Sequence, residues 1–144
     1  MRGLRTLATR LHQHHRSGLE IARWLEARPE VARVLHPGLP SHPQHALWKR
    51  DFLGASGLFS VVLKPASQRA VAALLNGSEL FGMGFSWGGY ESLVIPFDAT
   101  SYRTATTWAP EGPTLRFHVG LEDVEELRAD LEAGLKRLVG ASGT

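Results

Sequence analysis

Three residues in the second half of the chain follow the order of a hydrolase triad. Ser86 lies within the segment 84–88, which fits the pattern G-x-S-x-G, and Asp98 and His118 come after it. Such a serine becomes a nucleophile where a strand turns sharply into a helix. Here a strand-like run that ends at Pro96 follows instead of a helix. The sequence therefore disfavours a serine hydrolase, which we keep as an alternative that uses Ser86, Asp98 and His118.

A group of histidines near the N-terminus raises the question of a metal site. His12 and His15 are one helical turn apart and His14 lies between them, but no acidic residue precedes Glu20. A zinc site built on two histidines needs a carboxylate or a third well-placed histidine, and the pattern HExxH is absent. We therefore predict a solvated helix face here and no metal site.

Arg116 is the side chain best suited to bind a carboxylate. Apolar and polar residues alternate over 114–119, which predicts a strand with Leu115 and Phe117 on one side and Arg116 and His118 on the other. A guanidinium held on a strand suits two-pronged recognition of a carboxylate. The pattern alone favours this role no more than it favours a surface salt bridge.

A glycine-rich segment precedes this strand and could serve the same carboxylate. Residues 82–89 contain four glycines, which indicates unusual backbone angles or close approach by another group. Ser86 and Trp87 lie at the tip of this segment, where backbone N–H groups are available. Whether the tip meets Arg116 is left open at this stage.

The composition limits the architecture that can position these residues. A chain of 144 residues without cysteine forms one domain with its own core and excludes a disulfide scaffold and a thiolate zinc site. The 16 basic and 14 acidic residues are nearly balanced, so we expect no nucleic-acid partner. No run approaches the ~20 apolar residues of a membrane span, so we also expect no membrane partner.

The hydrophobic pattern predicts an α+β fold with a mostly antiparallel sheet and helices on one face. A long amphipathic helix covers about 3–27, an irregular connection covers 36–45, and Ser67 caps a short helix that Asn76 and Gly77 end by adopting positive φ. The predicted strands cover 31–35, 58–63, 92–95 and 114–119, and Asp123 caps a last helix with an apolar stripe.

Several separated segments resemble the Cys/Met-metabolism family of pyridoxal-phosphate (PLP) enzymes. Residues 85–93 (FSWGGYESL) resemble its SWGG-x-ESL signature, and 115–124 (LRFHVGLEDV) resemble its R-x-H-x-G-L-E-D segment. Residues 2–7 (RGLRTL) and 48–60 also fit. Within the family the chain is similar to the cystathionine β-lyase branch, because its relatives usually carry leucine in place of Trp87 and tend to carry serine in place of His118.

This resemblance implies the C-terminal domain of the PLP-dependent transferase type I fold over residues 1–144, beginning with a linking helix at about 3–27. It implies a carbon–sulfur β-lyase of methionine biosynthesis that converts cystathionine to homocysteine, pyruvate and ammonia. Arg116 would bind the substrate α-carboxylate, and Ser86 and Trp87 would help to position it. Gly88 and Gly89 would let the loop approach PLP.

The resemblance also implies what this chain leaves out. The family's PLP-binding domain, which carries the Schiff-base lysine, is not matched, and Lys49, Lys64 and Lys136 lack its sequence context. We therefore expect a fragment that contains no catalytic residue and is inactive alone. The complete enzyme would be cytoplasmic and a homo-oligomer, by family a tetramer. The alternative is a catalytically dead interaction domain, which predicts an exposed apolar patch beside the first helix.

Overall fold

The computed structural model describes residues 2–142, so residues 1, 143 and 144 of the predicted domain lie outside it. It confirms the α+β class with a mostly antiparallel sheet. In chain order the elements are α1 (Arg2–Arg5), α2 (Leu7–Glu26), β1 (Val31–Leu35), α3 (His45–Asp51), β2 (Leu58–Leu63), α4 (Gln68–Asn76), β3 (Gly82–Met83), β4 (Leu93–Pro96), β5 (Thr114–His118) and α5 (Val124–Ser142).

The sheet places β5 in its centre. The strand order is β1-β2-β5-β4-β3, and β5 runs antiparallel to both β2 and β4. Arg116 is in register with Ser60 on one side and Ile95 on the other. The only parallel pairing in the described part of the chain joins β3 to β4 over two residues. Pairing with β2 on one side and β4 on the other therefore fixes the backbone that carries Arg116.

The core lies against one face of the sheet. Phe117 stacks on Phe59 of β2 with ring centroids 5.7 Å apart, and Phe81 meets it edge-on at 5.6 Å. The predicted alternation of β5 is confirmed, but two of the three residues on its polar side are buried. Thr114 and His118 are 5% and 2% exposed. The buried side chains that form this core with the sheet come mostly from the helices, among them Ile21, Leu25, Leu74, Leu127, Leu131 and Leu135.

The first helix differs from the prediction in two ways. It is broken at Thr6 into α1 and α2 and ends at Glu26. Its apolar stripe is buried only in the second half: Ile21 is fully covered, whereas Leu7 and Leu11 are each 40% exposed. The N-terminal half of α2 therefore presents apolar side chains to solvent.

Side-chain caps fix α4 and α5 as the sequence predicts. The Ser67 Oγ accepts a hydrogen bond from the Ala70 N–H at 3.2 Å. The Asp123 Oδ1 accepts from the N–H groups of Glu125 and Glu126 at 2.9 and 3.3 Å. These bonds satisfy backbone donors that a helix leaves open in its first turn.

The helix α4 ends at Asn76 as predicted, but neither Asn76 nor Gly77 adopts positive φ. Gly77 has φ −103°, a value open to any residue. Its missing Cβ matters instead because that atom would lie 2.5 Å from the Nε of Arg137. Arg137 fills this space and donates to the carbonyls of Ala73 and Leu74 at 3.1 and 3.2 Å. A side chain of α5 thus donates hydrogen bonds to carbonyl groups in the last turn of α4.

Candidate functional site

Arg116 lies half-buried on the central strand and reaches the glycine-rich segment. Its Nη2 donates a hydrogen bond of 2.7 Å to the carbonyl oxygen of Phe85, and its guanidinium carbon lies 6.0 Å from the centre of the Phe85 ring. Within residues 2–142, no carboxylate forms an ion pair with Arg116. The structure therefore brings together the predicted carboxylate-binding arginine and the predicted loop, a contact that the sequence left open.

His118 holds the middle of the glycine loop, which we define as residues 84–92. The Gly88 N–H lies 3.1 Å from Nε2 and 3.4 Å from Nδ1 of His118, and the Gly89 carbonyl oxygen lies 3.2 Å from Nε2. Gly88 has φ +83°, a conformation that side-chain-bearing residues rarely adopt. Glycine is therefore required at position 88, because the backbone there has positive φ.

A second histidine backs this contact. His14 of α2 is 1% exposed and meets the His118 ring edge-on, with ring centroids 5.1 Å apart. Burial lowers the pKa of His118. Burial also lowers the pKa of His14, and the neighbouring His118 lowers it further. Both rings are therefore held towards the neutral form, and Arg116 carries the positive charge of the site.

The far end of the loop is held by Glu122, a role that the sequence did not reveal. Its carboxylate accepts hydrogen bonds from the Ser92 N–H and the Ser92 Oγ–H, both at 2.7 Å. The same Ser92 hydroxyl accepts from the Gly120 N–H at 2.8 Å, and the Leu121 N–H donates to the Tyr90 carbonyl at 2.8 Å. The loop is thus fastened at its start, middle and end to β5 and the segment after it.

Ser86 and Trp87 lie exposed at the loop tip and form no hydrolase triad. His118 bonds to the loop backbone, and the Asp98 carboxylate accepts from the N–H and Oγ1 of Thr100 at 2.9 and 2.6 Å. The strand β3, which ends upstream of Ser86, has two exposed residues, and β4 rather than a helix follows. The geometry therefore contradicts the serine-hydrolase alternative.

The N-terminal histidines point to different places. His14 packs on His118, whereas His15 accepts a hydrogen bond from the Ala55 N–H at 2.7 Å and stacks on Trp48. His12 is exposed, which matches the predicted solvated face at that position alone. Among the described residues, no group of three or more acidic, histidine or cysteine side chains is arranged to hold a metal ion.

The lysines lie outside the site. Lys49 on α3, Lys64 after β2 and Lys136 on α5 are all exposed, and Lys136 pairs with Glu132 at 3.1 Å. None belongs to the glycine loop or to β5. The described side chains at the site therefore suit an anionic ligand group, and they do not include an amine that could bond to PLP covalently.

Comparison with known proteins places this arrangement among PLP enzymes. A family model described as "Cys/Met metabolism PLP-dependent enzyme" matches residues 1–136. Cystathionine beta-lyase MetC of Escherichia coli K12 is 50% identical over 142 residues, which are 96% of this chain and 36% of that protein. L-alanine/L-glutamate racemase of Wolbachia pipientis wMel is 45% identical over 139 residues, which are 95% of this chain and 34% of that protein.

A solved structure shares the fold. Cystathionine gamma synthase of Xanthomonas oryzae pv. oryzae, in complex with cystathionine, superposes with a TM-score of 0.83 at 34% identity, over 97% of this chain and 37% of that chain. The chain thus spans about a third of the length of the relatives it matches. No helix in the described range is both long and apolar enough to cross a membrane.

Proposed function

Because the chain belongs to the Cys/Met metabolism PLP-dependent enzyme family, we propose that it supplies the substrate-carboxylate site of a PLP-dependent carbon–sulfur β-lyase. The observation that carries this proposal is Arg116. The residue is half-buried on the central strand, its guanidinium donates to the Phe85 carbonyl, and it has no carboxylate partner in the described range. A guanidinium that is held in place and has no carboxylate partner is available to bind the carboxylate of a ligand.

The loop geometry decides which groups would join Arg116 at the carboxylate. The hydrogen bond to Phe85 uses one of the five guanidinium N–H groups, so one two-pronged edge stays free for a carboxylate. The Phe85–Ser86 peptide is trans, so the Phe85 carbonyl and the Ser86 N–H point in opposite directions. Because the Phe85 carbonyl faces the Arg116 guanidinium, the Ser86 N–H points away from it. We therefore assign the supporting roles to the Ser86 hydroxyl and the Trp87 N–H.

The cofactor of the family is PLP, but the residues of this chain do not fit it as a covalent site. The exposed lysines lie outside the glycine loop and β5. We propose that residues 1–144 act as a C-terminal domain, linked through the helical region at 3–27 to a PLP-binding domain, with Gly88 and Gly89 near the cofactor. Purified alone and mixed with PLP, the chain should develop no absorption band of lysine-bound cofactor and release no pyruvate from cystathionine. Either signal contradicts this part of the proposal.

The substrate that we propose is cystathionine, in a cytoplasmic homo-oligomer that works in methionine biosynthesis. Support comes from a β-lyase that is 50% identical and from a similar structure in complex with cystathionine. A racemase of alanine and glutamate also matches the same segment. These substrates share an amino-acid α-carboxylate, which is the group that Arg116 is placed to bind.

A chimaera tests this role directly. We would exchange the matching third of the E. coli β-lyase for residues 2–142 and compare Arg116→Ala and Arg116→Lys with the parent chimaera. Loss of a two-pronged charged contact should lower kcat/KM for cystathionine by about 100-fold in the alanine variant and by about tenfold in the lysine variant. PLP content should not change.

The matched control is Arg33→Ala, because Arg33 forms an exposed ion pair with Glu111 at 3.2 Å. That variant should keep the parent kinetics, since surface pairs contribute little. Unchanged KM and kcat in Arg116→Ala would refute the carboxylate assignment.

A second candidate function, the interaction domain, is supported by an exposed apolar surface. A groove of about 930 Å³ opens between α2, α3 and the segment before β2. Leu11 and Leu47 line it at 40% and 50% exposure, and Phe52 lines it at 63% exposure. This is the patch that the alternative predicts beside the first helix, and a PLP-binding domain of the same enzyme would cover such a surface equally well.

Sedimentation analysis separates the two readings of the groove. If the groove serves self-association, the purified chain should form oligomers that Phe52→Ser disrupts, whereas the exposed control Tyr102→Ser should not. A strictly monomeric chain together with an active chimaera would contradict the interaction domain.

A further inference from the structure

We propose that His118 is a positioning residue that sets the backbone of Gly88 and Gly89 and thereby directs the loop tip towards the ligand at Arg116. The effect on ligand binding rests on the proposed carboxylate site at Arg116. The contact between His118 and the loop does not depend on that proposal. His118 lies two residues from Arg116 on the same strand and on the same side. The strand therefore carries the charge and the loop holder at a fixed separation.

The middle of the loop has few other restraints among the described residues. A Cβ added to Gly88 or to Gly89 would meet no atom within 4 Å. Packing therefore does not fix the backbone of Gly88, and an unrestrained glycine samples positive and negative φ about equally readily. The described hydrogen bonds of these two residues run to His118. This imidazole is thus the main restraint on the middle of the loop.

A neutral imidazole satisfies both loop groups when Nε2 carries the proton. One ring nitrogen has a lone pair that accepts from the Gly88 N–H, and the other carries a proton. With the proton on Nε2, the ring donates to the Gly89 carbonyl and keeps Nδ1 as the acceptor. With the proton on Nδ1, Nε2 accepts from Gly88 at 3.1 Å. A doubly protonated ring has no lone pair, so the bond from Gly88 is lost.

Burial and, to a lesser extent, the charge of Arg116 lower the pKa of His118 and favour the neutral form, whereas the Gly89 carbonyl and Glu122 act against them. His14 presses edge-on against the ring from α2, and Arg116 adds positive charge from the same strand. Glu122 opposes them with a negative charge from the segment after β5. Burial then adds the desolvation that disfavours a charged ring.

Amide exchange in the ¹⁵N-labelled chain tests the contact. His118→Leu removes both hydrogen bonds, so the Gly88 N–H should exchange about tenfold or more faster, while the Phe117 N–H in the sheet keeps its protection. His118→Gln offers an oxygen acceptor and an N–H donor at a similar reach, so it should restore the slow exchange. Unchanged Gly88 exchange in a folded His118→Leu variant overturns the proposal.

A titration of the unmodified chain covers the case in which His118→Leu fails to fold. The amide shift of Gly88 should follow the His118 ring signals with the same midpoint, because the imidazolium gives up the Gly88 bond. A Gly88 shift that stays flat while His118 titrates overturns the proposal without any variant.

The chimaera tests the positioning role. His118→Leu should raise KM for cystathionine about tenfold with kcat within about twofold, and His118→Gln should return KM towards the parent. A merely structural defect would reduce the amount of active enzyme and hence kcat. If Arg116→Ala is impaired and His118→Leu is not, only the positioning role fails. If Arg116→Ala is silent, the proposed function fails and the exchange experiment still decides the contact.

Discussion

Mild acidification should destabilise this protein through His36. The His36 ring lies directly after β1, is 1% exposed, and packs on Phe59 with ring centroids 5.6 Å apart. Its Nδ1 accepts a hydrogen bond of 3.0 Å from the Gly38 N–H. Its Nε2 is buried without a hydrogen-bond partner in the described part of the chain. Because Nδ1 is the acceptor, the neutral ring carries its proton on Nε2, and a second proton would enter at Nδ1 and break the hydrogen bond from Gly38.

Burial lowers the pKa of His36 to about 4, and the positive charges of His15, His42 and Arg23 act in the same direction. The folded state thus binds fewer protons than the unfolded state, so stability rises with pH across this window. The stabilisation that depends on a neutral His36 is fully present above the ordinary histidine pKa of about 6.5, and it is lost as the pH falls towards 4. Between pH 7 and pH 5, the linkage amounts to about 2 kcal/mol of the free energy of unfolding.

Urea unfolding of the parent and of His36→Asn at several pH values isolates this term. The asparagine oxygen can accept from Gly38 as Nδ1 does, but it does not titrate, so the variant should lose about 2 kcal/mol less than the parent between pH 7 and pH 5. His14, His42 and His118 also have lowered pKa values and act in both proteins. Equal pH slopes in the two proteins would refute the reasoning.

Four further predictions concern stability and share urea unfolding as the measurement. Gly57→Ala should destabilise by several kcal/mol, at least ~2, because its Cβ would lie 2.1 Å from the carbonyl oxygen of Val119. Gly140→Ala on the open face of α5 should stabilise by about 0.5–1 kcal/mol, and equal effects of the two substitutions would contradict this. Asp130→Ala should cost about 2–3 kcal/mol, because its carboxylate accepts three backbone N–H bonds from the segment 79–81, and a loss no larger than that of an exposed aspartate would count against it. Ser67→Ala should cost about 1 kcal/mol as a lost cap, and a neutral result would show that the cap is not needed.

Strands and caps were predictable where a pattern is local. The segments 31–35 and 58–63 form strands with the predicted bounds, because a run of β-branched and aromatic residues between turn residues needs no distant information. The helix α3 was not predicted, and the structure gives the reason. None of its residues is buried, so it has no apolar stripe to detect.

The site was predictable in part for a similar reason. Alternation along β5 placed Arg116 and His118 on one side of the strand, and this placement is a property of the strand itself. The contacts to Phe85, Gly88 and Ser92 join residues about thirty positions apart. No spacing rule covers such pairs, so the fastening of the loop emerged only from the fold.

The edge strands of the sheet, β1 and β3, affect how readily this protein pairs with other chains. An exposed edge strand can pair with a strand of another chain, and a short or irregular edge strand pairs poorly. On one edge, β3 has two residues. On the other, β1 has a bulge between Val31 and Arg33, and Arg33 is paired with Glu111. Both edges offer little backbone for strand-by-strand growth, so cross-β polymerisation is disfavoured.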